Sequence, residues 1–84
     1  MVMNTRLKAQ HKQMYQVLPS FLRELREEAG LTQRDVAKEL RQTQSWVYNC
    51  EVANRRVDIT EFIAWSNLCG INPKTAFSRL LKEL

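Results

Sequence analysis

The spacing of two threonines, Thr32 and Thr43, constrains this chain more than any other feature, because each is followed by a short segment with helical patterning. Thr32 opens "TQRDVAKEL", with its hydroxyl placed to cap the first amides and Val36, Ala37 and Leu40 on the inward face. Only the connection "RQT" separates this segment from the next, in which the cap Thr43 precedes "QSWVYNCE" and Val47 and Cys50 share a face. Two helices of about two turns each must therefore meet across a tight turn. Backbones joined so closely at a steep angle need a small side chain where they cross, and Ala37 supplies it.

The flanking segments extend this pattern. "PSFLRELREEAG" puts Phe21, Leu22, Leu25 and Ala29 on one helical face, with Pro19 suited to a first turn and Gly30 to the residue past the end. A start nearer Tyr15 would require a kink at Pro19. Asp58 and Glu61 form a capping box that opens a helix through Cys69, offering Ile59, Phe62, Ile63 and Leu68 to the core, and Gly70 stops it. Asn72 and Pro73 start a last helix with the stripe Ala76, Phe77, Leu80, Leu81 and Leu84. No useful length alternates with period two, so the expected fold is all-α, with about five helices over residues 15–84. Residues 1–14 carry Arg6, Lys8 and Lys12 and no acid, which describes a basic N-terminal arm, mobile or partly helical. Such an arm either reaches phosphates or is simply solvated.

Composition narrows the function classes. Thirteen lysines and arginines against nine acids give a net charge of +4 and suggest an anionic partner. The chain has no run of eighteen apolar residues and no signal-peptide pattern at its N-terminus, so a soluble, cytoplasmic protein without a membrane partner is expected. Cys50 and Cys69 form no CxxC motif, and the single histidine, His11, stands far away. Two reduced, buried thiols are expected, with no metal and no cofactor. There is no glycine-rich phosphate loop, no carboxylate pair with a pocket behind it and no nucleophile with a base, so an enzyme is not expected.

The stretch "LTQRDVAKELRQTQSWVYNCE" resembles the helix-turn-helix of phage-repressor-like (Cro/cI, XRE-type) DNA-binding proteins, and "LRELREEAGLTQ" and "RRVDITEF" extend the likeness over about residues 20–84. The resemblance implies a compact five-helix lambda-repressor-like domain that binds double-stranded DNA. Its function would be that of a transcriptional regulator, a repressor acting as a homodimer and reading the major groove with helix 44–52. By resemblance the base-reading positions are Gln44, Ser45 and Asn49, with Tyr48 at the rim. Independently of the family, a glutamine amide matches adenine N6 and N7, and an asparagine one turn beyond Ser45 faces the same side. The phosphate-binding positions implied are Gln33 and Thr43, with Asn54, Arg55 and Arg56 in the loop that follows; a salt bridge from Arg56 to Asp58 or Glu51 is the competing expectation. As alternatives to a repressor, the same fold serves as the antitoxin of a toxin–antitoxin pair, with a toxin protein as partner, or as the controller of a restriction–modification system. RNA fits less well, because an A-form major groove does not admit the helix.

Three departures from the family pattern bear on geometry. Arg41 occupies the turn position usually held by glycine, Gln42 replaces an apolar turn residue, and Ala53–Asn54 replaces a glycine-containing helix end, where Asn54 is the residue suited to a left-handed conformation. Trp46 is expected at the rim of the core, covering the turn around Arg41. Trp65, with the last helix, is open to two roles, core filling or a dimer surface.

Overall fold

A computed structural model describes the backbone of residues 5–84 and the side chains of residues 15–84. Five α-helices follow one another: α1 (Thr5–Glu28), α2 (Gln33–Leu40), α3 (Gln44–Glu51), α4 (Ile59–Leu68) and α5 (Pro73–Lys82). The described residues contain no strand. The side chains of the basic segment 1–14 lie outside the described residues, although its backbone is helical from Thr5 and continuous with the rest of α1.

The helix starts follow from their caps. Thr32 and Asp58 each close a capping box, with Asp35 and Glu61 at the third helical position returning a bond to the cap amide at 2.8 and 2.9 Å. Thr43 caps α3 by accepting from the Trp46 amide at 3.0 Å, and Asn72 caps α5 by accepting from the Lys74 amide at 2.8 Å. The first helix departs from expectation, because Pro19 sits in its interior rather than in its first turn. An interior proline removes one backbone donor and costs about 3 kcal/mol. Here the ring is buried, lining a groove with Tyr15, Leu18 and residues 53–57, which offsets part of that cost.

All four turns that end α1 to α4 use a left-handed residue, at Gly30, Arg41, Ala53 and Gly70. After each, the next amide reaches back to a carbonyl five residues earlier: Leu31 to Arg26, Gln42 to Ala37, Asn54 to Asn49 and Ile71 to Ser66, at 2.9–3.1 Å. Two of the four are therefore held by residues with a Cβ, at φ of +55° (Arg41) and +66° (Ala53). These two bracket α3. At the second of them Ala53, not Asn54, takes the left-handed conformation, because the 6→1 bond is set by where α3 stops and not by which neighbour tolerates it best.

The core draws on every helix: Phe21, Leu22 and Leu25 from α1, Val36 and Ala37 from α2, Val47 and Cys50 from α3, Phe62 and Trp65 from α4, and Ala76 from α5. Trp65 is wholly buried and its indole N–H donates to the Leu22 carbonyl at 3.1 Å, which settles it as core and removes it from any dimer surface. Ile59 and Ile63, offered to the core by periodicity, are exposed instead; α4 turns Phe62, Trp65 and Ser66 inward and leaves the two isoleucines outside. Phe77, Leu81 and Leu84 are also about half exposed, so α4 and α5 together display unburied apolar side chains. No helix among the described residues is long and apolar enough to cross a membrane.

Candidate nucleic-acid interface

Helix α3 presents two chemically different faces. Val47, Cys50 and Glu51 are buried, while Gln44, Ser45 and Tyr48 are exposed and Asn49 is half exposed. Positions 44, 45, 48 and 49 are neighbours on a helical surface, so the four residues expected to read bases form one polar patch. No residue of α3 is cationic. Trp46 does not join the patch: it is half-buried against the core, with its ring 6.5 Å from that of Trp65 and beside Leu40, Gln42 and α4.

At the C-terminal end of α3 lies a buried ion pair. Arg26 of α1 donates to both carboxylate oxygens of Glu51, the last residue of α3, at 2.6 and 2.9 Å, and also to the Leu31 carbonyl at 2.9 Å. Only 2% of the Glu51 side chain is exposed, so a lone charge there would be strongly disfavoured. The hydrogen bonds to Glu51 push the Arg26 pKa up from its already high ordinary value and hold the guanidinium charged. The same carboxylate accepts from Gln33 Nε2 at 3.1 Å, and Gln33 Oε1 accepts from Gln44 Nε2 at 2.7 Å. Gln33 and Gln44, assigned to phosphate and base from the sequence, are thus joined directly.

The other expected residues are placed unevenly. The Thr43 hydroxyl oxygen is occupied as a cap acceptor and its hydrogen remains for a further acceptor. Asn54 Nδ2 donates to Asn49 Oδ1 at 3.4 Å, which ties the loop to the exposed face of α3. Arg55 is engaged at the surface, half-buried, where it grips both oxygens of Glu61 at 3.0 and 2.9 Å, donates to the Arg56 carbonyl at 2.7 Å and lies 4.5 Å over the Trp46 ring. Its bond to Glu61 raises its pKa and binds the guanidinium to α4, so it holds the 52–58 loop in place while about a third of the side chain, 35%, stays exposed. The competing salt bridge from Arg56 is not formed with Asp58 or Glu51: Glu51 is taken by Arg26, and Arg56 lies over the Tyr15 ring at 5.2 Å with its side chain exposed.

Two contributions were missed from the sequence. Arg34 is exposed and lines an open cleft with Thr32, Gln33 and Gln44 at the N-terminus of α2, where amides and cation favour an anion together. Its signal was a basic residue in the first turn of a capped helix. The Arg26–Glu51 pair spans 25 residues, and nothing local announces it.

Comparison with known proteins agrees with this arrangement. A family model described as a helix-turn-helix domain matches residues 18–82. The solved structure of an XRE-family like protein from Pseudomonas syringae pv. tomato str. DC3000 superposes with a TM-score of 0.84 at 35% identity, covering 94% of this chain and 96% of that one. The clp gene regulator ClgR from Corynebacterium glutamicum shares the fold, with a TM-score of 0.73 at 17% identity over 82% of this chain and 73% of that one. Curated protein sequences give no match. With the α2–turn–α3 geometry repeated in a relative this similar along nearly the whole length, the chain belongs to the XRE-type helix-turn-helix family of DNA-binding transcriptional regulators.

Proposed function

We propose that this protein is a sequence-specific double-stranded-DNA-binding repressor that acts as a homodimer and reads the major groove with α3. The observation that carries the reading is the exposed, uncharged polar patch of Gln44, Ser45, Tyr48 and Asn49 on a short helix whose opposite face is locked into the core. Amides and hydroxyls discriminate base edges, whereas cations in the groove would favour any DNA. Backbone contacts fall to Gln33, Thr43, Asn54 and Arg56, with Arg34 added and Arg55 acting as the loop's internal support. Arg6, Lys8 and Lys12 of the basic segment 1–14, which precedes the domain proper, residues 15–84, are assigned to flanking phosphates. The exposed Ile59, Ile63, Phe77, Leu81 and Leu84 are the surface for a second copy, which matches a two-fold symmetric site.

Titration of labelled genomic fragments at two salt concentrations tests the proposal. One or a few fragments should bind far more tightly than bulk DNA at both salts; equal affinity for all fragments refutes sequence specificity. Gln44→Ala should lose about 1–3 kcal/mol of discrimination at one base pair, whereas Arg56→Ala should weaken all sequences alike and flatten the salt slope by about 1. The antitoxin reading uses the same DNA face and differs in assigning the apolar α4–α5 surface to a toxin; a stable dimer of the pure protein favours the repressor.

A further inference from the structure

The two arginines that follow α3 are held in different ways. Arg55 is bound by Glu61, whereas Arg56, exposed on the same loop, forms no ion pair among the described residues. It meets a ring instead. The Arg56 guanidinium lies 5.2 Å over Tyr15 of α1, within the roughly 6 Å over which a ring face attracts a cation. Positions 15, 18 and 19 share one face of α1, so Tyr15, Leu18 and Pro19 form one wall of a groove whose other wall is the 53–57 loop. Val57, next after Arg56, packs against the core, as Leu18 does from the opposite wall. The loop backbone is thereby anchored beside Tyr15, and the ring takes the Arg56 side chain.

We infer that Tyr15 is a positioning residue for DNA binding, a platform on α1 that holds the Arg56 guanidinium ready for a phosphate. The inference rests on the DNA-binding function proposed above, in which Arg56 is a backbone contact. A free arginine samples many rotamers, and ordering it on binding costs affinity that an already ordered side chain retains. The attraction of a ring face acts on the charge and uses none of the N–H donors, so a guanidinium resting on Tyr15 keeps its fork for phosphate oxygens. A carboxylate partner does the opposite. It occupies the fork and offsets the charge, which is the condition of Arg55 beside Glu61. Of the two adjacent arginines, the one held by a ring is the cation that stays available, and its place is set by a helix outside the α2–turn–α3 unit.

Fluorescence-anisotropy titration of a preferred DNA site and of bulk DNA over a range of salt tests this with Tyr15→Leu, Tyr15→Phe, Arg56→Ala and Tyr15→Leu combined with Arg56→Ala. Tyr15→Leu keeps an apolar wall without a ring and should weaken binding to both DNAs about two- to fivefold. Its salt slope should not change, because no charge is lost. Tyr15→Phe keeps the ring and should bind as the unaltered protein does. In the Arg56→Ala background Tyr15→Leu should cost nothing further, since the ring has no cation left to hold. Undiminished binding by Tyr15→Leu, an equal loss in Tyr15→Phe, or the same loss with and without Arg56 overturns the inference. A readout on the unaltered protein covers the case in which Tyr15→Leu does not fold. The ring current should move the NMR signals of the Arg56 δ-methylene protons upfield of their position in the urea-unfolded protein, and coincident shifts overturn the platform. If the unaltered protein binds no DNA, the DNA-binding function fails and this role with it; an upfield Arg56 signal in that case shows the platform intact, so the two failures are told apart.

Discussion

Replacing Arg41 by glycine should stabilise the protein, and Arg41→Ala separates the backbone cause from any side-chain one. Arg41 holds φ +55° and ψ +44° at the corner between α2 and α3, and its side chain is exposed. A Cβ in that region costs roughly 1–2 kcal/mol. Glycine removes this cost but gives the unfolded chain more freedom, worth about 0.4–1 kcal/mol. The balance is a gain of about 0.5–1 kcal/mol, or about 2–8 °C in melting temperature for a domain of this size. Alanine retains the Cβ and should leave stability within about 0.5 kcal/mol of the starting protein. Urea unfolding followed by circular dichroism measures all three proteins. If Arg41→Gly shows a midpoint equal to or below that of Arg41→Ala at the same slope, the corner stores no strain and the reasoning fails.

Three other outcomes follow from the described contacts. Trp65→Phe should cost about 2 kcal/mol in the same urea assay, because the indole N–H bond to the Leu22 carbonyl is lost inside a closed core. Bonds from Thr60 and then from the Glu61 amide hold the Asp58 pKa below its ordinary 3.8, so its contribution is complete above that pH and is lost as pH falls through the lower folded value; Asp58→Asn should flatten the acid limb of a stability–pH curve. Burial raises the Cys69 thiol from 9.0 to about 11 and raises Cys50 as well, so both should resist iodoacetamide at pH 8 until denaturant is added; rapid labelling of the native protein contradicts their packing.

The parts of the fold legible in the sequence were those with local causes. Thr32, Thr43, Asp58 and Asn72 each announce a helix start through bonds within three residues, and Gly30 and Gly70 announce two of the ends. The polar patch on α3 was legible for the same reason, since spacing alone puts positions 44, 45, 48 and 49 side by side. The remainder depended on partners distant in sequence or on how much of a face is covered. Pro19 signals a helix start, and only its burial against the 53–57 loop makes an interior position tolerable. Ile59 and Ile63 carry a core pattern, but among the described residues both stay exposed. Arg55 reads as a loop cation until its pairing with Glu61 is visible, and the Arg26–Glu51 pair joins residues that no helical period relates.

That buried pair has a consequence for how such a protein could change its target. Ser45 and Tyr48 are exposed and support neither the core nor the ion pair, so under the proposed DNA-reading role substitutions there alter the preferred DNA sequence with little penalty to folding. Gln44 is different, because it completes a bond network rooted in a carboxylate that the core encloses. A lineage descended from this chain should therefore drift quickly at positions 45 and 48, and in the proposed role at the base pairs assigned to them, and slowly at position 44, where a substitution disturbs bonds that hold α1, α2 and α3 together.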